Sequence, residues 1–155
     1  MDEFVVWLRA QLDEDERLAE GATPGPWWHN PGKQWLGPEA FEKYDLRQGE
    51  EFVGYGGPHP FTGAVCATGP ASDPQGMRDA AFIAEWDPAR ALREIDARRQ
   101  RIAIHAGPHE CASYDSVSKE INPCQWVDEG EACTTLRLEG VPYEKRPGYR
   151  DSWRP

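Results

Sequence analysis

The feature that most constrains this chain is a group of metal-compatible side chains in its last third. Positions 105 to 133 read His105-x5-Cys111-x12-Cys124-x8-Cys133, with a second histidine at His109. Thiolate and imidazole are the donors that zinc prefers, and a structural zinc site is a closed tetrahedron of four of them. One histidine and three cysteines make such a set. The expected ligands of one structural Zn(II) are therefore His105, Cys111, Cys124 and Cys133. His109 is the rival fourth ligand; His105 is preferred because it ends a predicted helix and is held more rigidly. The Gly107-Pro108 pair lets the chain turn and carries Cys111 back towards it. No paired CxxC is present, so two other states stay open: reduced, buried cysteines without metal, and a disulfide.

Composition makes a staple useful. The 155 residues suit one domain, 1–155, with 105–139 as its metal-held subregion. They include 15 Gly and 14 Pro, so much of the chain is expected in turns and loops. Seven Trp offset this by supplying large apolar area per residue. A loop-rich chain with a modest core commonly adds a metal or disulfides.

Charge narrows the partners. A formal net charge of −10 argues against direct binding to nucleic acid, whose phosphates are met by Lys and Arg. It fits a freely soluble protein, or one that meets a basic protein surface. An acidic surface that imitates DNA is the extreme form of that reading. No apolar run reaches the roughly 20 residues of a membrane-spanning helix. Asp2-Glu3 lacks the basic, then apolar, pattern of a signal peptide. The expected place is the cytoplasm, away from membranes, where thiols stay reduced and metal is favoured over disulfide.

Periodicity predicts the elements. Phe4, Val5, Leu8 and Leu12 follow helical spacing over 2–20, with Asp2 as cap, and Asp13 to Glu16 are expected on a solvated face. The Pro-Gly-Pro of 24–26 then forces a turning path, and Trp27-Trp28 are expected to pack back on that helix. Weak strand character covers 27–36 and 50–67, while 37–49 reads as loop or a helical turn. Cys66 sits among small residues and reads as an apolar filler. A helix is predicted over 75–86 with Ala80, Phe82 and Ile83 inward. A second is predicted from Asp87-Pro88 to about His105, with Leu92, Ile95 and Ile102 on one face. The arginines at 93, 98, 99 and 101 are expected to pair with nearby acids. Thr134 to Glu139 reads as a short helix starting at Cys133, and Tyr143, Tyr149 and Trp153 as anchors for the tail. The fold class is α+β: an N-terminal helix, a small antiparallel sheet, two central helices and a zinc-stapled C-terminal region.

Several segments together resemble an uncharacterised family of small proteins of actinobacteria and their phages. They are Leu12-Asp13-Glu14-Asp15-Glu16, Ala22-Thr23-Pro24-Gly25-Pro26-Trp27, Asp79 to Ala84, Asp87 to Ile95, Cys133-Thr134-Thr135-Leu136-Arg137 and Pro147 to Trp153. The resemblance implies a histidine at the end of the long helix and a last cysteine before Thr-Leu-Arg, the places of His105 and Cys133. It also implies two cysteines close together, where this chain has Cys111 and Cys124 far apart. It implies no activity, but a phage or prophage setting.

No GxSxG, HExxH, P-loop or GxGxxG-helix pattern is present. The expected function is a non-enzymatic binder of a host or phage protein, with its oligomeric state open. The alternatives are a zinc-dependent hydrolase or nucleic-acid-modifying enzyme, with Glu110 or Glu131 as base, and an acidic DNA-mimic inhibitor.

Overall fold

The first helix begins where the cap residue places it: Asp2 Oδ1 accepts from the Phe4 N–H at 3.0 Å. It runs over Glu3–Gly21 (α1) in a computed structural model that describes residues 2–30, 50–57, 62–71, 73–115, 117–128 and 131–155. There follow β1 (Trp27–His29), β2 (Glu50–Tyr55), β3 (Gly63–Pro70), α2 (Pro74–Glu85), α3 (Pro88–His105), β4 (His109–Tyr114), β5 (Ile121–Val127) and α4 (Thr134–Gly140). Two 3-10 turns, Val141–Tyr143 and Asp151–Trp153, complete the described elements. The class is α+β. The expected loop or turn over 37–49 and the expected strand beyond 30 lie outside the described residues. The chain divides into two units, Arg17–Arg93 and the pair of segments Met1–Glu16 and Glu94–Pro155.

The Arg17–Arg93 unit holds an antiparallel sheet in the order β1-β2-β3, with α2 packed on it. Its core is Val53, Ala80 and Ala84, joined by Trp27, Val65, Cys66 and Ile83. Cys66 is thus partly buried apolar filling, as its neighbours suggest. Trp28 meets Phe52 edge-on at 5.6 Å. Gly54 makes room for it, since a Cβ there would lie 2.5 Å from the indole.

Phe82 does not turn inward as expected; it is 64% exposed. The buried face of α2 is set by Gly76, Ala80 and Ala84 at a spacing of four. At about 100° per residue, Phe82 then falls on the far side. It lies 6.0 Å from Trp86, over whose ring the Arg90 guanidinium sits at 4.1 Å.

Asp87 does two jobs in this unit. One carboxylate oxygen accepts from the Arg90 N–H at 2.7 Å and caps α3; the other accepts from the Trp27 N–H at 3.2 Å. Gly25 permits the approach, because a Cβ there would lie 2.7 Å from that second oxygen. Asp87→Ala is expected to cost about 1–2 kcal/mol, the upper part of the range for a lost cap. Urea unfolding checks this through the midpoint, and an unshifted midpoint would contradict it.

The other unit gathers Phe4, Val5, Leu8, Leu12, Ile95, Ile102, Cys111, Cys133, Leu136 and Tyr143 into one core. The tail aromatics anchor it as expected: Trp7 lies 5.5 Å from Tyr149 and 5.4 Å from Trp153. The acidic run of α1 is more than a solvated face. Asp13 and Glu16 both bind Arg99 at 2.6 Å, and Asp15 accepts from the Tyr143 hydroxyl at 2.8 Å and from Arg146. Arg98 and Arg101 pair with Glu139, which fulfils the pairing expected of those two arginines.

Between α3 and α4, where the sequence predicts no regular element, stands an antiparallel hairpin, β4–β5. Its turn is built by Asp115, whose Oδ1 accepts from Val117 N–H at 2.7 Å and Ser118 N–H at 3.1 Å. Pro123 hides this strand in the sequence, because proline disfavours strand interiors. It is tolerated here on an edge strand, beside a register shift between Cys111 and Ser113.

Candidate metal centre

The hairpin and the two helix ends around it place the donors. His105 is the last residue of α3, one turn beyond the buried Ile102, so its ring leans towards the core. The chain turns through Gly107-Pro108, and β4 starts at His109. His109 and Cys111 are two apart on one strand, so their side chains leave the same face. Cys133 immediately precedes α4 in extended conformation.

These four side chains converge. His105 Nδ1 lies 3.0 Å from His109 Nε2, 3.6 Å from Cys133 Sγ and 3.9 Å from Cys111 Sγ. All four donor atoms fall within 4.8 Å of one another. A tetrahedral zinc with usual N and S bond lengths has donor–donor edges of about 3.3–3.8 Å. The group is therefore near the size of a coordination tetrahedron. The donor chemistry fits as well: two thiolates neutralise a divalent cation, and two imidazoles complete the set. The cluster can hold a metal ion.

The surrounding contacts support the donors. His109 Nδ1 lies 2.7 Å from the Gly107 carbonyl oxygen, to which it donates. That bond assigns the tautomer and leaves the Nε2 lone pair aimed at the cluster, the usual arrangement of a metal-binding histidine. The Thr135 hydroxyl lies 3.4 Å from Cys111 Sγ and donates to the thiolate form.

Ionisation follows from these contacts. Burial acts to raise Cys111, but the neighbouring Thr135, His109 and Cys133 side chains outweigh it and hold the thiol below its ordinary range. Burial pushes the Cys133 thiol up, against the pull of the Leu136 N–H, and the neighbouring Cys111 adds to the rise. Burial, and then His109, push His105 below the ordinary histidine value of 6.5. A lowered histidine contributes stability that is present above the unfolded value and is lost as pH falls through the folded one. The metal-free protein is accordingly expected to lose stability as pH drops from about 6.5. His105→Gln should flatten that limb in pH-dependent urea melts, and an unchanged limb would contradict the assignment.

Three of the four expected ligands, His105, Cys111 and Cys133, are thus brought together. Cys124 is not among them: it is exposed on β5, while its neighbour Gln125 stands opposite Cys111. Cys124 falls in the bulged stretch between Asn122 and Gln125 and stays outside the cluster. His109 takes the fourth place. The signal for it was the His-x-Cys alternation of 109–111, legible once that segment is read as a strand.

The whole chain, residues 1–155, matches the model of a family of unknown function, DUF6221. The chain belongs to DUF6221. Membership agrees with the resemblance to an uncharacterised family. No curated protein and no solved structure matches this DUF6221 chain. Among its described residues no helix is long and apolar enough to cross a membrane.

Proposed function

We propose that this DUF6221 protein binds one structural Zn(II) through His105, His109, Cys111 and Cys133, and acts by binding another protein rather than by catalysis. The observation that carries the metal reading is the convergence of four donor atoms within 4.8 Å. The His109–Gly107 bond, which aims one of those donors, supports it. Four protein donors fill a tetrahedron and leave no position for a reacting water, which sets aside the hydrolase alternative.

The DNA-mimic alternative loses its strongest segment, because Asp13, Asp15 and Glu16 are bound to arginines of the same chain. The partner reading draws support from the hairpin. Tyr114 and Ile121 pair across it, and with Trp126 they are exposed by 48%, 77% and 62%. Large exposed aromatic and aliphatic side chains on one hairpin are a usual mark of a protein contact. The phage or prophage setting comes to this reading from the motif resemblance alone.

Metal content by elemental analysis tests the first half. Protein purified without added zinc should carry one equivalent, which His109→Ala loses and Cys124→Ser keeps. The opposite pattern would overturn the ligand set. A photo-crosslinking residue at position 126 tests the second half in living cells. It should capture one discrete protein that the same residue at exposed position 82 does not; no discrete product at 126 would contradict the binding role.

A further inference from the structure

The metal centre is unevenly enclosed. A cleft of about 280 Å³ is lined by Cys111 and Cys133 together with Trp126, Glu131, Thr134 and Arg137, whereas neither His105 nor His109 lines it. Both cysteines are buried, yet both contribute to the wall of this cleft, which is large enough for a small polar molecule. The two sulfurs are within 4.8 Å of each other. Cys133 stands in extended conformation immediately before α4, on a different element from Cys111, and a side-chain rotation is what closing the gap requires.

We propose that Cys111 and Cys133 are an oxidant-sensitive pair, which hydrogen peroxide converts to an intramolecular disulfide. The further consequence, release of the bound metal, rests on the zinc reading above. The chemistry balances in two steps. One sulfur attacks a peroxide oxygen; the O–O bond breaks, the sulfur is oxidised by two electrons to a sulfenic acid, and hydroxide leaves and takes up a proton as water. The second sulfur then attacks the first; the S–O bond breaks, the S–S bond forms, and the departing hydroxide takes up a proton as a second water. Two thiols have lost two electrons, and the peroxide has gained them. The metal has then lost both anionic donors, and two imidazoles alone do not retain it. Reduction by a dithiol restores both sulfurs and the site.

The test uses the full chain carrying Cys66→Ser and Cys124→Ser, neither of which is a proposed ligand. Zinc content is measured first, then peroxide is added. Zinc release is followed with a chromogenic chelator, and the protein is mapped by mass spectrometry. The expected result is loss of two hydrogens per chain, a peptide linked through Cys111 and Cys133, stoichiometric zinc release, and recovery of both thiols with dithiothreitol. In Cys133→Ser the first step should stop at a sulfenic acid on Cys111 that dimedone traps. Persistence of both thiols, or oxidation to sulfinic acid without a disulfide, would overturn the proposal. Absence of zinc at the start would fail the metal reading alone, because the disulfide is read independently of it.

Discussion

Removing the metal with a chelator is expected to lower the melting temperature by roughly 10 °C. A ligand that binds only the folded state stabilises it by about 4 kcal/mol when its free concentration exceeds Kd a thousandfold. For a chain of this size each kcal/mol moves the midpoint by roughly 2–4 °C. The effect is large because the donors come from three separate elements, the end of α3, the start of β4 and the residue before α4. Cys111 and Cys133 also belong to the core itself. Losing an ion would leave the four donors tied only by local contacts, such as those of His109 to Gly107 and Thr135 to Cys111. The loss should fall locally: amides of β4 and α4 should exchange faster with solvent, while those of β2 keep their protection. An unchanged melting curve after complete metal removal would contradict a structural role.

Phe4→Ala is expected to destabilise the same unit by about 3–5 kcal/mol, the usual cost of deleting a buried aromatic ring. Phe4 is fully buried. Its ring centroid lies 6.2 Å from that of Trp7 and 5.3 Å from that of Trp153. Gly140, the last residue of α4, presses against it, since a Cβ there would come 2.8 Å from the ring. The cavity would thus open between α1, α4 and the tail at once. Because the core that loses the ring also holds Cys111 and Cys133, metal affinity should fall in the same variant. Urea unfolding read by tryptophan fluorescence measures the first effect, and a competition titration with a chelator the second. A cost below about 1 kcal/mol would show that the ring is not central to this core.

The first three helices were legible because each carries local punctuation. Asp2 caps α1, Asp73 accepts from the Gln75 N–H at 2.9 Å before α2, and Asp87 caps α3 ahead of Pro88. Face assignment was less secure. In α1 the long apolar residues define the buried stripe, but in α2 small residues do, so the largest side chain, Phe82, misleads. Close packing of a helix on a sheet selects Gly and Ala at the contact, and this preference runs against hydrophobicity. The hairpin was missed for a related reason. Every residue from Ile121 to Trp126 is exposed, so β5 shows no burial-driven alternation, and Pro123 argues locally against a strand.

The candidate site inherits that miss. His105 and Cys133 were legible from their helix ends, and Cys111 from its nearness to them. The choice between Cys124 and His109 depended on strand register, which pairs Cys111 with Gln125 and leaves Cys124 outside the cluster. Preference for thiolate by counting cysteines cannot see that geometry. The charge pattern misled in a milder way: the run Asp13 to Glu16 looks like a solvated face until α3 and the tail bring Arg99 and Arg146 beside it. Long-range pairing of this kind leaves no local trace in the sequence.

X-ray absorption at the zinc edge of the purified full chain tests the central claim most directly, because it counts donors by element. The account predicts two sulfur neighbours at about 2.3 Å and two nitrogen neighbours at about 2.0–2.1 Å. Three sulfurs and one nitrogen would return Cys124 to the site and contradict the ligand set. A shell of oxygen neighbours, or no zinc signal at all, would contradict the metal centre itself.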